Sequence, residues 1–323
     1  MKKRLYPALT FFVLVVAGIA WCLSDYYSES NLEAPATIVI PPGTHTTEIV
    51  DILAQQNIIN HPLVFKVILF GSGKSSRIKA GEYAFAAHIS AHEAAALLVS
   101  GKTVIHQLTV AEGLMTSEII RLVQENPLLE GEITLHVREG ELLPETYHFS
   151  RLDKRNDLVQ RMRQAMQKTL EEAWAGRADH LPFATAGEAL TLASIVEKET
   201  GIASERARVA AVYINRLRKG MLLQADPTTA YAVTKGKEKL ARALTTRDLM
   251  LDSPYNTYRV AGLPPAPIAN PGKASLLATL HPEPSDELYF VATGSGGHNF
   301  ARTLEEHNEN VRRYRETRNA AQH

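Results

Sequence analysis

Apolar positions along the chain form one long uncharged run, then short strand-like segments, then stripes at helical spacing. The run comes first: Pro7 to Leu23 carries no charge, with Lys2, Lys3 and Arg4 before it and Asp25, Glu29 and Glu33 after it. Its length is near the lower limit for crossing a bilayer, and the basic flank of such a segment stays cytoplasmic. It ends in Ala20-Trp21-Cys22-Leu23, which lacks a small-x-small cleavage site and places Trp21 where a lipoprotein signal needs a small residue. The expectation is an uncleaved single-pass anchor over residues 6–24, with a cytoplasmic tail (1–5) and the remainder exported.

A polar linker (25–36) follows. Ala36-Thr-Ile-Val-Ile40 reads as a strand closed by Pro41-Pro42-Gly43. Thr46 to Gln56 and His61 to Phe70 have helical apolar spacing, Gly81 to Phe85 reads as a second strand, and Ala91 to Ser100 as an alanine-rich helix stopped by Gly101. This order predicts a small α+β domain over 37–105. Part of it returns: Gly43, Thr46, Glu48, Ile49 and Ile52 align with Gly113, Thr116, Glu118, Ile119 and Leu122. A repeated packing unit accounts for the echo without chemistry of its own.

The larger remainder, 106–323, opens with a loop-to-strand entry at Arg138 to Phe149. Helices are expected over Asn156 to Trp174, Ser204 to Lys219 and Glu305 to Asn319, and a strand over Tyr289 to Ala292. Between the first two lies Thr191-Leu-Ala-Ser-Ile-Val-Glu-Lys-Glu-Thr200. Thr185 with Glu188 three residues on has the form of a capping box, and Gly201 a plausible stop. On a helical wheel Glu197 and Glu199 flank the two edges of the apolar stripe, while Lys198 points away. A carboxyl held against apolar side chains loses hydration and keeps its proton closer to neutral pH, as a general acid for glycosidic cleavage must. The alternative is two solvated acids pairing with Lys198 or Arg208, and periodicity does not choose between Glu197 and Glu199.

Composition narrows the classes. Lys+Arg and Asp+Glu balance at 35 each, which argues against a globally basic nucleic-acid binder. Cys22 is the one cysteine and lies in the apolar run, so the body offers neither an internal disulfide nor a thiolate metal cluster. Three motif fragments fail on inspection. Phe70-Gly-Ser-Gly-Lys-Ser75 has Ile68 where a phosphate loop needs glycine, His92-Glu93 has Ala96 where a zinc site needs histidine, and Gly294-Ser295-Gly296 lacks nucleophile-elbow spacing. No metal or organic cofactor is expected. The loops are polar and aromatic instead: Leu223-Gln-Ala-Asp-Pro-Thr228, Ser253-Pro-Tyr-Asn-Thr-Tyr258, the turn-rich Gly262 to Gly272, and Gly296-Gly-His-Asn-Phe300. Amides, hydroxyls and ring faces suit a carbohydrate groove, although such loops can equally just cover a core.

These loops, with SIVEKET at 194–200, NRLRKGM at 215–221, YFVA at 289–292 and GELLPETYHF at 140–149, resemble the endolytic murein transglycosylase (YceG-like) family over nearly the whole chain. The resemblance implies a transmembrane helix, a small LysM-like domain and a larger α+β catalytic domain. It places the catalytic glutamate on Glu197, and Gln224, Asp226, Thr228, Asn256, Tyr258 and His298 as groove residues. It implies cleavage of the MurNAc–GlcNAc β-1,4 bond with 1,6-anhydro-MurNAc ends, at the inner membrane, with peptidoglycan strands as substrate and peptidoglycan synthases as a candidate partner class. Ala225 and Ala266 depart from the family's usual small hydroxyl residue and glycine. Two other readings stay open: a muramidase with Asp226 activating water, and a noncatalytic wall-binding scaffold.

Overall fold

α1 (Leu5–Tyr27) is one continuous helix whose stretch Leu9–Tyr27 is apolar, long enough to cross a membrane, and almost wholly exposed. The computed structural model describes residues 5–294 and 296–320, so the basic residues Lys2, Lys3 and Arg4 and the serine of the Gly294-Ser295-Gly296 fragment lie outside the described residues. The chain divides into two compact units, residues 1–107 with 148–153 and residues 108–147 with 154–323.

In the first unit, β1 (Ala36–Ile40) pairs antiparallel with β2 (Gly81–Phe85), Ile38 opposite Tyr83. α2 (Thr46–Gln55) and α3 (Pro62–Gly71) lie between them in the chain, and α4 (Ala91–Ser100) follows. Ile38, Ile40, Leu53, Phe65, Leu69, Tyr83, Phe85 and Leu98 close one core. α4 starts on a reciprocal cap, Ser90 Oγ accepting from Glu93 N at 3.2 Å while Glu93 accepts from Ser90 N at 2.9 Å. α1 runs beyond the expected end of the anchor because its last turn has partners: Tyr26 is buried in this core, and Asp25 lies 2.5 Å from His61 Nδ1.

The strands β3 (His106–Thr109) and β4 (Thr146–Phe149) pair, and the chain passes from one unit to the other within each. The second unit contains α5 (Thr116–Glu125), α6 (Arg155–Ala175), α7 (Ala186–Glu199), α8 (Arg206–Arg218), α9 (Asp226–Thr234), α10 (Thr246–Leu249) and α11 (Lys273–Leu280). It ends with β5 (Tyr289–Ala292) paired antiparallel with β6 (His298–Ala301), then α12 (Leu304–Ala320). α7 is the central element, with every residue from Ala189 to Val196 buried. The Thr185–Glu188 capping box forms as the sequence predicts. Leu192, Ile195 and Val196 pack with Val209, Tyr213 and Ile214 of α8, and Ala189 and Ala193 pack with Leu276 and Leu280 of α11.

Arg216 behaves differently from a helix-end cation. It is buried, and its guanidinium donates to the carbonyls of Leu222, Leu223 and Leu288, joining α8, the entry to α9 and β5. Two segments read as loops are regular. Asp226–Thr234 is helical, with Pro227 in its first turn where the missing N–H is not needed. His298–Ala301 is a strand because Phe300 and Ala301 pair back onto β5.

Candidate active site

The last turn of α7 carries Glu197, Lys198 and Glu199, and the fold sends the three side chains to different surroundings. The side chain of Glu197 is only 5% exposed. One of its oxygens accepts from the backbone N–H of Gly272 at 2.9 Å, and the other lies 3.9 Å from the Arg206 guanidinium. Lys198 donates to the carbonyl of Gly113 at 3.0 Å. Arg208, considered from sequence as a partner for these acids, pairs instead with Glu287.

The segment that brings Gly272 to Glu197 is held at several points. Ser194 Oγ accepts from Ile268 N at 3.0 Å. Asn270 is fully buried; its amide donates to the Leu114 carbonyl, Thr116 Oγ1 and Glu139, while its oxygen accepts from Leu142 N. Its backbone is paired on both sides, with Gly113 N donating to Asn270 O and Asn270 N to Leu114 O, each at 2.9 Å. Gly113 has φ +74°, the left-handed region that favours glycine, and a Cβ there would sit 3.4 Å from Cγ of Glu197. The second copy of the sequence repeat therefore delivers its glycine turn to the end of α7.

That turn also carries Glu112, which sequence reasoning passed over. Its carboxylate lies 3.4 Å from the same Arg206 guanidinium, and burial together with the charge of Glu197 pushes its carboxyl above the usual range, with Arg206 opposing. A Cβ on Gly272 would fall 1.8 Å from Glu112 Oε1, so a side chain there would push the Glu112 carboxylate out of its place. Glu112, Arg206 and Gly272 come from three distant segments, and no local pattern links them.

Glu199 sits in a second cluster. Tyr213 donates to it at 2.8 Å. Burial, reinforced by the charge of Asp226 and opposed by the Tyr213 hydrogen bond and Arg216, pushes its carboxyl up to about 7. The structure places Asp226 and Tyr258 together, the exposed carboxylate accepting from the phenol at 2.5 Å. Burial first, then this bond to Asp226, drives the Tyr258 hydroxyl well above its ordinary range. Gln224, just before α9, is exposed with φ +51°, an uncommon conformation for a residue with a side chain.

Thr228 and Asn256 are fully buried, and their polar atoms find partners inside the protein. Thr228 shares a 2.8 Å hydroxyl bond with Thr257; Asn256 accepts from Thr229 and donates to the carbonyls of Leu249 and Leu251. His298, on β6, has Nδ1 2.7 Å from Glu205, the residue preceding Arg206. Burial raises the Glu205 carboxyl, but the hydrogen bonds from the His298 ring and backbone outweigh it and hold it below the usual range. Among the described residues no group of three or more His, Cys, Asp or Glu side chains is arranged to hold a metal ion.

A groove of about 550 Å³ runs along the first half of α7, between Leu190, Thr191, Arg138, Arg163 and the prolines 264, 265 and 267. Glu197 does not line it; it lies six positions beyond Thr191, about 9 Å along the helix.

The sequence pattern of the YceG-like family matches residues 38–313. A Bacillus subtilis (strain 168) protein named endolytic murein transglycosylase is 30% identical, across 90% of this chain and 88% of its own length. A Streptococcus pneumoniae (strain D39) protein of the same name is 28% identical across 96% of this chain, which covers 65% of that longer protein. The crystal structure of a yceG-like protein from Listeria monocytogenes superposes with a TM-score of 0.53 at 30% identity, covering 85% of this chain and 98% of that one.

Proposed function

Because this chain belongs to the YceG-like family, we propose that it is an endolytic lytic transglycosylase of peptidoglycan with Glu197 as its acid and base. The observation that carries the assignment is the setting of Glu197: a nearly buried carboxyl at the end of a buried helix, oriented by a backbone N–H 2.9 Å away. A protonated Glu197 donates to the glycosidic oxygen as the C1–O bond of MurNAc breaks. The resulting carboxylate takes the proton of the C6 hydroxyl of the same sugar, and O6 bonds to C1. The ring closes as 1,6-anhydro-MurNAc, the leaving GlcNAc keeps the first proton, and no water is consumed. One carboxyl serves both steps, so the paired geometry of a hydrolase is not needed.

Around it, exposed Gln224, the Asp226–Tyr258 pair and His298 are proposed to meet the glycan, while buried Thr228 and Asn256 fix the loops that present them. The strand–helix–helix–strand order of β1, α2, α3 and β2 supports reading residues 37–105 as a LysM-like glycan-binding domain, with residues 106–323 as the catalytic domain. The apolar stretch of α1 supports an inner-membrane anchor with the amino terminus cytoplasmic, which would set the enzyme on newly made strands beside peptidoglycan synthases.

Glu197→Gln and Glu199→Gln, compared on purified glycan strands with folding checked by circular dichroism, test the assignment. Loss of cleavage by at least 10²-fold in the first and not in the second is expected. Retained turnover in Glu197→Gln would refute it, and loss only in Glu199→Gln would transfer the role.

A further inference from the structure

Two carboxylates and one guanidinium converge at the end of α7. Glu112 and Glu197 approach the same terminal nitrogen of Arg206, at 3.4 and 3.9 Å. The Arg206 side chain is 13% exposed, and its Nε is buried with no hydrogen-bond partner among the described residues. Arg206 is thus not held by a full set of bonds elsewhere; its charge is directed to the two acids. Both acids also meet at Gly272, whose N–H is bonded to Glu197 and whose α-carbon lies against the Glu112 carboxyl. The turn bearing Glu112 is fixed from two sides, by the backbone of Asn270 and by Lys198.

We infer that Glu112 is a positioning residue of the reaction, whose charge, balanced by Arg206, keeps the proton on Glu197 until the glycosidic oxygen takes it. The inference rests on Glu197 being the acid. Two carboxylates facing one guanidinium nitrogen repel each other, so a proton on either relieves that repulsion. The Glu112 carboxyl is raised chiefly by burial, with the charge of Glu197 adding to it and Arg206 opposing. Two other groups near Glu197 favour its ionised form, the Gly272 N–H that donates to it and the Lys198 ammonium, whose bond to the neutral Gly113 carbonyl leaves its charge in place; the charge of Glu112 opposes both. Once Glu197 has given up its proton, Arg206 is in place to stabilise the carboxylate that must act as base.

A role confined to holding the turn would scale the rate without moving its pH dependence. The full chain in detergent, its Glu112→Gln and Arg206→Gln variants, and a charge-preserving Glu112→Asp variant are therefore assayed for kcat/KM on purified glycan strands across pH. Removing the negative charge at 112 eases ionisation of Glu197, so the basic limb of the Glu112→Gln profile is expected to fall by roughly half to one pH unit, a 3–10-fold loss on that limb. Removing the positive charge at 206 is expected to move the limb the opposite way, and Glu112→Asp to restore it. An unmoved or upward-moving limb in Glu112→Gln would overturn the inference. Should the Gln variants fold poorly, the titration of Glu197 followed by carboxyl-labelled NMR in the parent and Glu112→Asp decides: coupled titration of the two acids supports it, and independent titration refutes it. Glu197→Gln is run alongside. If it is inactive while the limb is unmoved, only the role of Glu112 falls; if it stays active, the assignment of the acid itself falls.

Discussion

Replacing Glu199 by Gln should stabilise the second unit at alkaline pH and leave it unchanged at acid pH. The carboxyl of Glu199 is raised to about 7, chiefly by burial, against an ordinary 4.5. A carboxyl whose proton is held more tightly in the folded than in the unfolded chain favours folding while it is protonated. That benefit is complete below about 4.5 and is lost progressively as pH rises through about 7. The difference amounts to at most about 3 kcal/mol between pH 4.5 and 8, since each unit of separation is worth about 1.4 kcal/mol. Gln keeps an oxygen that can accept from Tyr213, now 2.8 Å from the carboxylate, and has no charge to bury. For a unit of this size the gain at pH 8 corresponds to roughly 5–10 °C in Tm, with convergence near pH 4.5–5. Differential scanning calorimetry of parent and variant across that range measures it. Parallel Tm–pH curves would show that Glu199 is not a buried, titrating carboxyl, and the separation of roles between Glu197 and Glu199 would lose its physical basis.

Three further outcomes follow from particular contacts. Asn270→Ala removes four side-chain hydrogen bonds from a fully buried position, so denaturant titration should show a loss of about 2–4 kcal/mol; a loss below 0.5 kcal/mol would mean that the clamp on the Gly272 segment is illusory. Tyr26→Ala, which empties a buried site where α1 enters the first unit, should cost about 3 kcal/mol in that unit. A truncated form beginning at Asp25 should keep that unit's melting transition, and one beginning at Asn31 should weaken it. Asp226→Asn keeps an acceptor for Tyr258 and should leave anhydro ends as the product; loss of all activity with a water-added product in the parent would favour the muramidase reading.

Much of this architecture was legible from period and punctuation. The Thr185 box and the Gly101 stop rest on interactions within a few residues, and the stripe of α7 and the strands 36–40 and 81–85 show their period locally although their partners lie far along the chain. What escaped detection depended on distant partners. α11 hid behind a proline-rich segment, and its buried face mixes Ser275 and Thr279 with Leu276 and Leu280, so it shows no clean apolar stripe. α9 looked like a loop because Pro227 punctuates it, although a proline in the first turn is where a helix tolerates one. At the site, the wheel placed Glu197 and Glu199 symmetrically; only the tertiary fold gives one to Gly272 and Arg206 and the other to Tyr213. Glu112 had no signal beyond its place before a repeated glycine.

The central claim is that Glu197 transfers a proton in a reaction that consumes no water. Its most direct test is mass spectrometry of fragments released from purified, uncrosslinked glycan strands by the parent chain and by Glu197→Gln. The parent is expected to release fragments ending in 1,6-anhydro-MurNAc, one water lighter than the hydrolysis product, and the variant to release none. Reducing MurNAc ends from the parent, or undiminished anhydro ends from the variant, would contradict it.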